Sequence, residues 1–118
     1  MDIHNAGHPP AIVAGKGGIL RLESTGLPLG LFCQAEFAAT RLRLDPGDTL
    51  FLYTDGLSEA AQGESEYGVD RVMQLVRQQA TSCPADLIAA CLQDVRSFTG
   101  NDLHEDDLTL LAVRRTQP

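Results

Sequence analysis

Hydrophobic and polar positions alternate along the first part of the chain and then change period. Ala11 to Ala14 and Ile19 to Glu23 flank Gly15-Lys16-Gly17-Gly18, and this glycine-rich connection between two β-prone runs predicts a β-hairpin. A loop rich in Gly, Pro and Leu follows at Thr25 to Leu31. Glu36 to Leu44 then alternates imperfectly, with Phe37, Leu42 and Leu44 as inward candidates. Asp45-Pro46-Gly47-Asp48 carries turn chemistry. Thr49 to Thr54 (TLFLYT) is a short apolar run that predicts a buried strand, ending in a turn at Asp55-Gly56.

Beyond Gly68 the period lengthens. Val69, Val72, Met73 and Val76 share one face of a helix. Ser82 is the expected N-cap of a second helix, with Pro84 in its first turn and Asp86 near the positive end of its dipole. Leu87, Ile88, Cys91, Leu92, Val95 and Phe98 form its apolar stripe, and Thr99-Gly100-Asn101 closes it. Leu108 to Val113 is a last apolar strand, with Arg114 and Arg115 at its wet end. Strands, two helices and a strand, without repeat or linker, predict an α+β domain with a mainly antiparallel sheet.

Length and composition narrow the class. A chain of 118 residues is one modest domain or a piece of a larger one. Four Phe, two Tyr and no Trp argue against an aromatic platform for bases or sugars. The net charge of −7 disfavours nucleic acid and anionic membrane as main partners. Cys33, Cys83 and Cys91 are scattered and contain no CxxC, which suits packing groups in a reducing cytoplasm. No apolar run reaches the ~18 residues of a membrane span and no signal peptide opens the chain, so a cytoplasmic protein without membrane insertion is expected.

Charge is distributed unevenly. Asp45, Asp48, Asp55, Glu59, Glu64, Glu66 and Asp70 form a stretch with no Lys or Arg, and Asp102, Glu105, Asp106 and Asp107 form another. Two readings stand, solvated acidic loops or clusters converging on bound cations. Asp55 follows the TLFLYT strand, while Asp106 and Asp107 precede the LTLLAV strand. If those strands are antiparallel neighbours, ~5 Å apart, the carboxylates fall at one sheet end. Such oxygens suit Mg²⁺, Mn²⁺ or Ca²⁺, although the D-x-D-x-D-G spacing of a calcium loop is missing. On spacing alone, Asp55-Gly56 also reads as a plain turn and Asp106-Asp107 as charges guarding a strand end.

LDPGDTLFLYTDGLSEA (Leu44 to Ala60), EYGVDRV (Glu66 to Val72) and EDDLTLLAVR (Glu105 to Arg114), preceded by NAGHPPAIV (Asn5 to Val13), occur in order. Together they resemble the C-terminal half of bacterial metal-dependent serine/threonine phosphatases of the sporulation stage II protein E type. That family is related to protein phosphatase 2C and belongs to the PPM superfamily. The resemblance implies an antiparallel β-sandwich flanked by helices, of which about half is present. It implies two Mn²⁺ or Mg²⁺ ions that bind phosphate and activate water, without a covalent protein intermediate. Asp55 and Asp106 are then the expected metal ligands, with Asp107 in support. Gly56 would allow tight chain reversal beside the ions. Glu59 either orients water or is a solvated surface group. Asn5 and His8 are loop or packing residues first and catalytic candidates second. A G-x-S-x-G nucleophile elbow is missing, and Gly15-Lys16 lacks the surroundings of a phosphate loop.

The family's N-terminal half normally supplies a GD-type segment and a D-x-x-G-H-G motif whose Asp bridges the metals, and neither is found here. Weak divalent-ion binding and little activity of the isolated chain are therefore expected. The implied substrate is a phosphoprotein, an anti-sigma-factor antagonist in partner-switching signalling. The alternative is a non-catalytic regulatory or protein-binding module on the same fold. Half a sandwich would also expose apolar sheet faces, so a homo-oligomer that covers them is expected.

Overall fold

A computed structural model of the chain describes residues 2–5, 8–23, 40–100 and 108–116. In chain order the elements are β1 (Asp2–Ile3), β2 (Ala11–Gly15), β3 (Gly18–Leu22), β4 (Thr40–Arg41), β5 (Thr49–Tyr53), the short α1 (Asp55–Ser58), β6 (Ala61–Gln62), β7 (Ser65–Glu66), α2 (Gly68–Gln78), α3 (Pro84–Thr99) and β8 (Leu110–Arg114). The main sheet is four-stranded in the order β3-β2-β5-β8, and each neighbouring pair is antiparallel. The hairpin, the central strand, both long helices and the last strand stand where the hydrophobic pattern places them.

The sheet has two apolar faces. Ile12, Ala14, Phe51 and Tyr53 point to one side and pack with Leu57, Tyr67, Val72, Leu75, Val76, Leu87, Cys91 and Val95 from the helical layer. Their period of two on the strands and three to four on the helices accounts for this core. Ala11, Val13 and Leu22 point to the other side, where Ile3, Leu42, Leu44, Leu50 and Leu52 pack against them. β1 pairs with β4, Asp2 opposite Arg41, and these two strands lie outside the main sheet. Ile3 of β1 and Leu42, just past β4, bring this short ladder against that face. No described helix is long and apolar enough to cross a membrane.

Several local expectations change. The N-cap of α3 is Cys83, with no side-chain cap bond, and not Ser82. Ser82 Oγ instead donates to Gln79 Oε1 at 2.7 Å, which removes it from capping. Pro84 does open the helix, and Gly100 closes it at φ 70°. The alternation of Glu36 to Leu44 yields only the two-residue β4, and Phe37 lies outside the described residues. Leu42 and Leu44 do turn inward. Asp55-Gly56 begins a helical turn, because Leu57 inserts fully into the core and pulls the chain round. β6 and β7 form a small exposed hairpin that no hydrophobic period announces.

Candidate functional site

β5 and β8 set the geometry of the site. Their register runs from Thr49 opposite Arg114 to Tyr53 opposite Leu110. The pairing continues one residue past the strand, where the Thr54 N–H donates to the Thr109 carbonyl at 3.1 Å. The Thr109 N–H in turn donates to Thr54 Oγ1 at 2.9 Å. Thr54 is the N-cap residue of α1, yet its side chain caps nothing in that helix. Its hydroxyl is turned toward β8, and so it fastens the end of β5 to the start of β8.

Asp55 is the next residue, exposed, in the first turn of α1. Its carbonyl accepts from the Glu59 N–H at 2.8 Å, while Leu57 N–H donates to the Thr54 carbonyl at 3.0 Å. Leu57 is fully buried and anchors this turn. The carboxylate of Asp55 therefore sits on a rim held from both sides, by the Thr54–Thr109 pair and by Leu57. Gly56 is the second residue of the same turn, and Glu59 is its exposed C-cap. Asp106 and Asp107 lie outside the described residues.

Asn5 is 7% exposed. Its Oδ1 accepts from the His8 N–H at 2.8 Å, and its Nδ2 donates to the Pro9 carbonyl at 3.4 Å. The exposed His8 ring places Nδ1 2.8 Å from the same carbonyl. Asn5 thus holds the loop that feeds β2. Because β2 is antiparallel to β5, with Ile12 opposite Phe51, this loop enters the sheet at the end where Asp55 leaves it.

The first acidic stretch does not converge. Asp45 and Asp48 form the turn before β5, at the opposite end of that strand from Asp55. Asp48 Oδ2 accepts from the Asp45 N–H at 2.9 Å, and Asp45 pairs with Arg43 at 3.2 Å. Glu64 and Glu66 belong to the β6–β7 hairpin and Asp70 to the first turn of α2. Among the described residues, no three His, Cys, Asp or Glu side chains group closely enough to hold a metal ion. Next to Asp55, Tyr53 is buried, and burial is the main cause that pushes its phenol up to about 12, with the Asp55 and Glu23 charges adding and Arg21 opposing. The Thr54–Thr109 clamp is the part of the site that sequence reasoning missed. Thr54 at the end of β5 is its only sequence trace, since Thr109 takes part through its backbone alone.

The sequence matches the family described as Stage II sporulation protein E (SpoIIE) over residues 1–116. The chain belongs to the SpoIIE family. It is similar to Protein IcfG of Synechocystis sp., 32% identical over 113 residues that cover 94% of this chain and 18% of that protein. Phosphoserine phosphatase RsbU of Bacillus subtilis is 25% identical over 122 residues, covering 98% of this chain and 36% of RsbU. Among solved structures, the SiaA-PP2C domain of Pseudomonas aeruginosa superposes with a TM-score of 0.77 at 22% identity, over 89% of this chain and 42% of that one. The α+β fold with its antiparallel sheet is thus that of PP2C phosphatase domains, and this SpoIIE-family chain spans less than half the length of these relatives.

Proposed function

We propose that this chain is part of a metal-dependent serine/threonine protein phosphatase domain in which Asp55 and Asp106 hold a divalent cation, Mn²⁺ or Mg²⁺. The observation that carries the reading is the double hydrogen bond between Thr54 and Thr109. It joins the residue before Asp55 to the strand that Asp106 and Asp107 precede in sequence. The donor chemistry fits, since Asp55 is an exposed carboxylate on a backbone held rigidly, and hard oxygen ligands suit these ions. A cation bound there would supply Lewis-acid polarisation of a phosphate oxygen and activation of water. Asp55 would bind and position it, Thr54 and Leu57 would fix Asp55, and Asp107 would orient Asp106. The substrate reading, phosphoserine on a small regulatory protein such as an anti-sigma-factor antagonist, is supported by the likeness to phosphoserine phosphatase RsbU.

Two carboxylates leave most of a coordination sphere to water, so Mn²⁺ affinity and turnover of the 118-residue chain are expected to be low. The test is calorimetric Mn²⁺ titration of the chain, Asp55→Asn and Asp106→Asn, with phosphoserine-peptide hydrolysis followed in parallel. Measurable binding that falls at least ~10-fold in each variant supports the site. Unchanged binding in Asp55→Asn refutes it. Phosphopeptide bound but left intact in saturating Mn²⁺ would favour the non-catalytic binding module.

A further inference from the structure

The turn that bears Asp55 is tied to the helical layer by a run of backbone hydrogen bonds that ends at Tyr67. The Glu59 N–H donates to the Asp55 carbonyl at 2.8 Å, and the Ala60 N–H donates to the Leu57 carbonyl at 3.2 Å. The Ala60 carbonyl in turn accepts from the Tyr67 N–H at 2.7 Å. That last bond closes the base of the β6–β7 hairpin, one step beyond the Ala61–Glu66 pair. Residues 61–66 are all exposed, so the hairpin is located by its base and not by burial of its own side chains.

The side chain of Tyr67 fixes that base from the other direction. Tyr67 is buried in the same core cluster as Leu57. Its hydroxyl donates to Asp94 Oδ2 on α3, and its ring meets Phe98 edge-on with centroids 5.6 Å apart. One turn along α2, the Arg71 guanidinium lies 4.3 Å from the centre of the Phe98 ring. Residues four apart share a helix face, so 67 and 71 at the start of α2 meet 94 and 98 near the end of α3. Ring packing brings the two helices together, but it is non-directional, whereas a hydrogen bond from a phenol to a carboxylate sets where the ring must lie. Every residue of this linkage falls within the continuous described stretch 40–100.

We infer that Tyr67 is a positioning residue for Asp55: its hydroxyl, held by Asp94, fixes the hairpin base at Ala60 and through it the turn that bears the Asp55 carboxylate. The inference rests on the reading of Asp55 as a cation ligand. The test combines amide hydrogen exchange with calorimetric Mn²⁺ titration of the whole chain, Tyr67→Phe, Asp94→Ala, Asp94→Asn, Gly15→Ala and Asp55→Asn, with a thermal melt of each. Phenylalanine keeps the ring contacts, and Asp94 is exposed, so water replaces its lost bond and Tyr67→Phe should fold. Exchange at positions 59, 60 and 67, relative to the amides of β2, should quicken at least ~10-fold in Tyr67→Phe. Its Mn²⁺ Kd should rise at least ~3-fold, less than in Asp55→Asn. Asp94→Ala should behave alike, while Asp94→Asn, which keeps an acceptor oxygen, should stay near wild type in both readouts. Gly15→Ala, at the other end of the sheet, should lower the melting temperature and move neither readout, as a merely structural loss would. The inference alone is overturned if Asp55→Asn weakens Mn²⁺ binding and Tyr67→Phe does not, or if binding weakens without faster exchange at those three positions. If Asp55→Asn also leaves binding unchanged, the cation reading fails and the inference with it.

Discussion

Replacing Tyr53 by phenylalanine removes a single oxygen from the core beneath Asp55. The ring of Tyr53 is 1% exposed and stacks on Phe51 with centroids 5.9 Å apart, contacts that phenylalanine keeps. Its hydroxyl is buried without a hydrogen-bond partner among the described residues. A buried hydroxyl left unsatisfied costs about 1–3 kcal/mol of desolvation, whereas removing one that is bonded costs about 1 kcal/mol. The two cases therefore differ in sign. Tyr53→Phe should stabilise the chain by about 1–2 kcal/mol, because no bond is lost and the desolvation penalty is relieved. For a domain of this size, each kcal/mol moves Tm by about 4 °C, so a rise of roughly 4–8 °C is expected. Urea unfolding of both proteins provides the free energy, and equal m-values would locate the change in the folded state. A loss of 0.5 kcal/mol or more, on the order of one net bond, would refute the reasoning and assign the hydroxyl a bonded water or a partner outside the described residues.

Other predictions follow from the same structure. Thr54→Val keeps the β-branched shape but removes the acceptor for the Thr109 N–H, so stability should fall by about 1 kcal/mol in urea melts while Thr54→Ser stays near wild type. Gly15→Ala would place a Cβ 1.8 Å from Asp48 Oδ1 and displace the side chain that holds the 45–48 turn. A cost of about 1–2 kcal/mol is expected, and a double-mutant cycle with Asp48→Ala should recover part of it. Burial raises the Cys91 thiol from 9.0 to about 12 and Tyr53 from 10.0 to about 12. Tyr67 is raised as well, through burial and its hydrogen bond to Asp94. Groups with raised folded values lend stability that is full below their unfolded pKa and is lost as pH rises through the folded one. Urea midpoints should therefore hold up to pH 9.0 and decline from there toward 12, with a shallower decline in Cys91→Ala after correction for its lower starting stability.

What could be read from the sequence depended on the length of each regular run. Five-residue strands such as TLFLY and helices of 11 and 16 residues repeat their period often enough to be recognised. β1, β4, β6 and β7 are two residues each, too short for any period, and they exist because a partner strand pairs with them. The wrong cap at Ser82 has a similar origin. Serine is the better capping residue, but Pro84 fixes the first helical position and makes Cys83 the cap whatever its side chain. Asp55 was legible because a strand that ends in Thr-Asp-Gly leaves its carboxylate at a sheet end. Thr54 was not, since whether its hydroxyl caps α1 or accepts from β8 depends on a residue 55 positions away.

Topology, more than charge density, explains why distant segments reach one end of the sheet. In an antiparallel sheet ordered β3-β2-β5-β8, strands alternate in direction, so the starts of β2 and β8 share one end with the finish of β5. The loop held by Asn5 precedes β2, Asp55 follows β5, and Thr109 precedes β8. All three motif segments are thus delivered to the same end by strand direction alone, from positions more than a hundred residues apart in the case of Asn5 and Thr109. The turn at Lys16-Gly17 and the turn at 45–48 fall at the other end, where Gly15 closes against Asp48. Asp45 and Asp48 carry carboxylates like Asp55 and lie closer to it in sequence than Asp106, yet a strand of five residues, ~17 Å, separates them from it. Acidity without strand direction would group Asp45, Asp48 and Asp55 and leave Thr109 out. Strand direction separates the two turn carboxylates and brings Thr109 to Thr54.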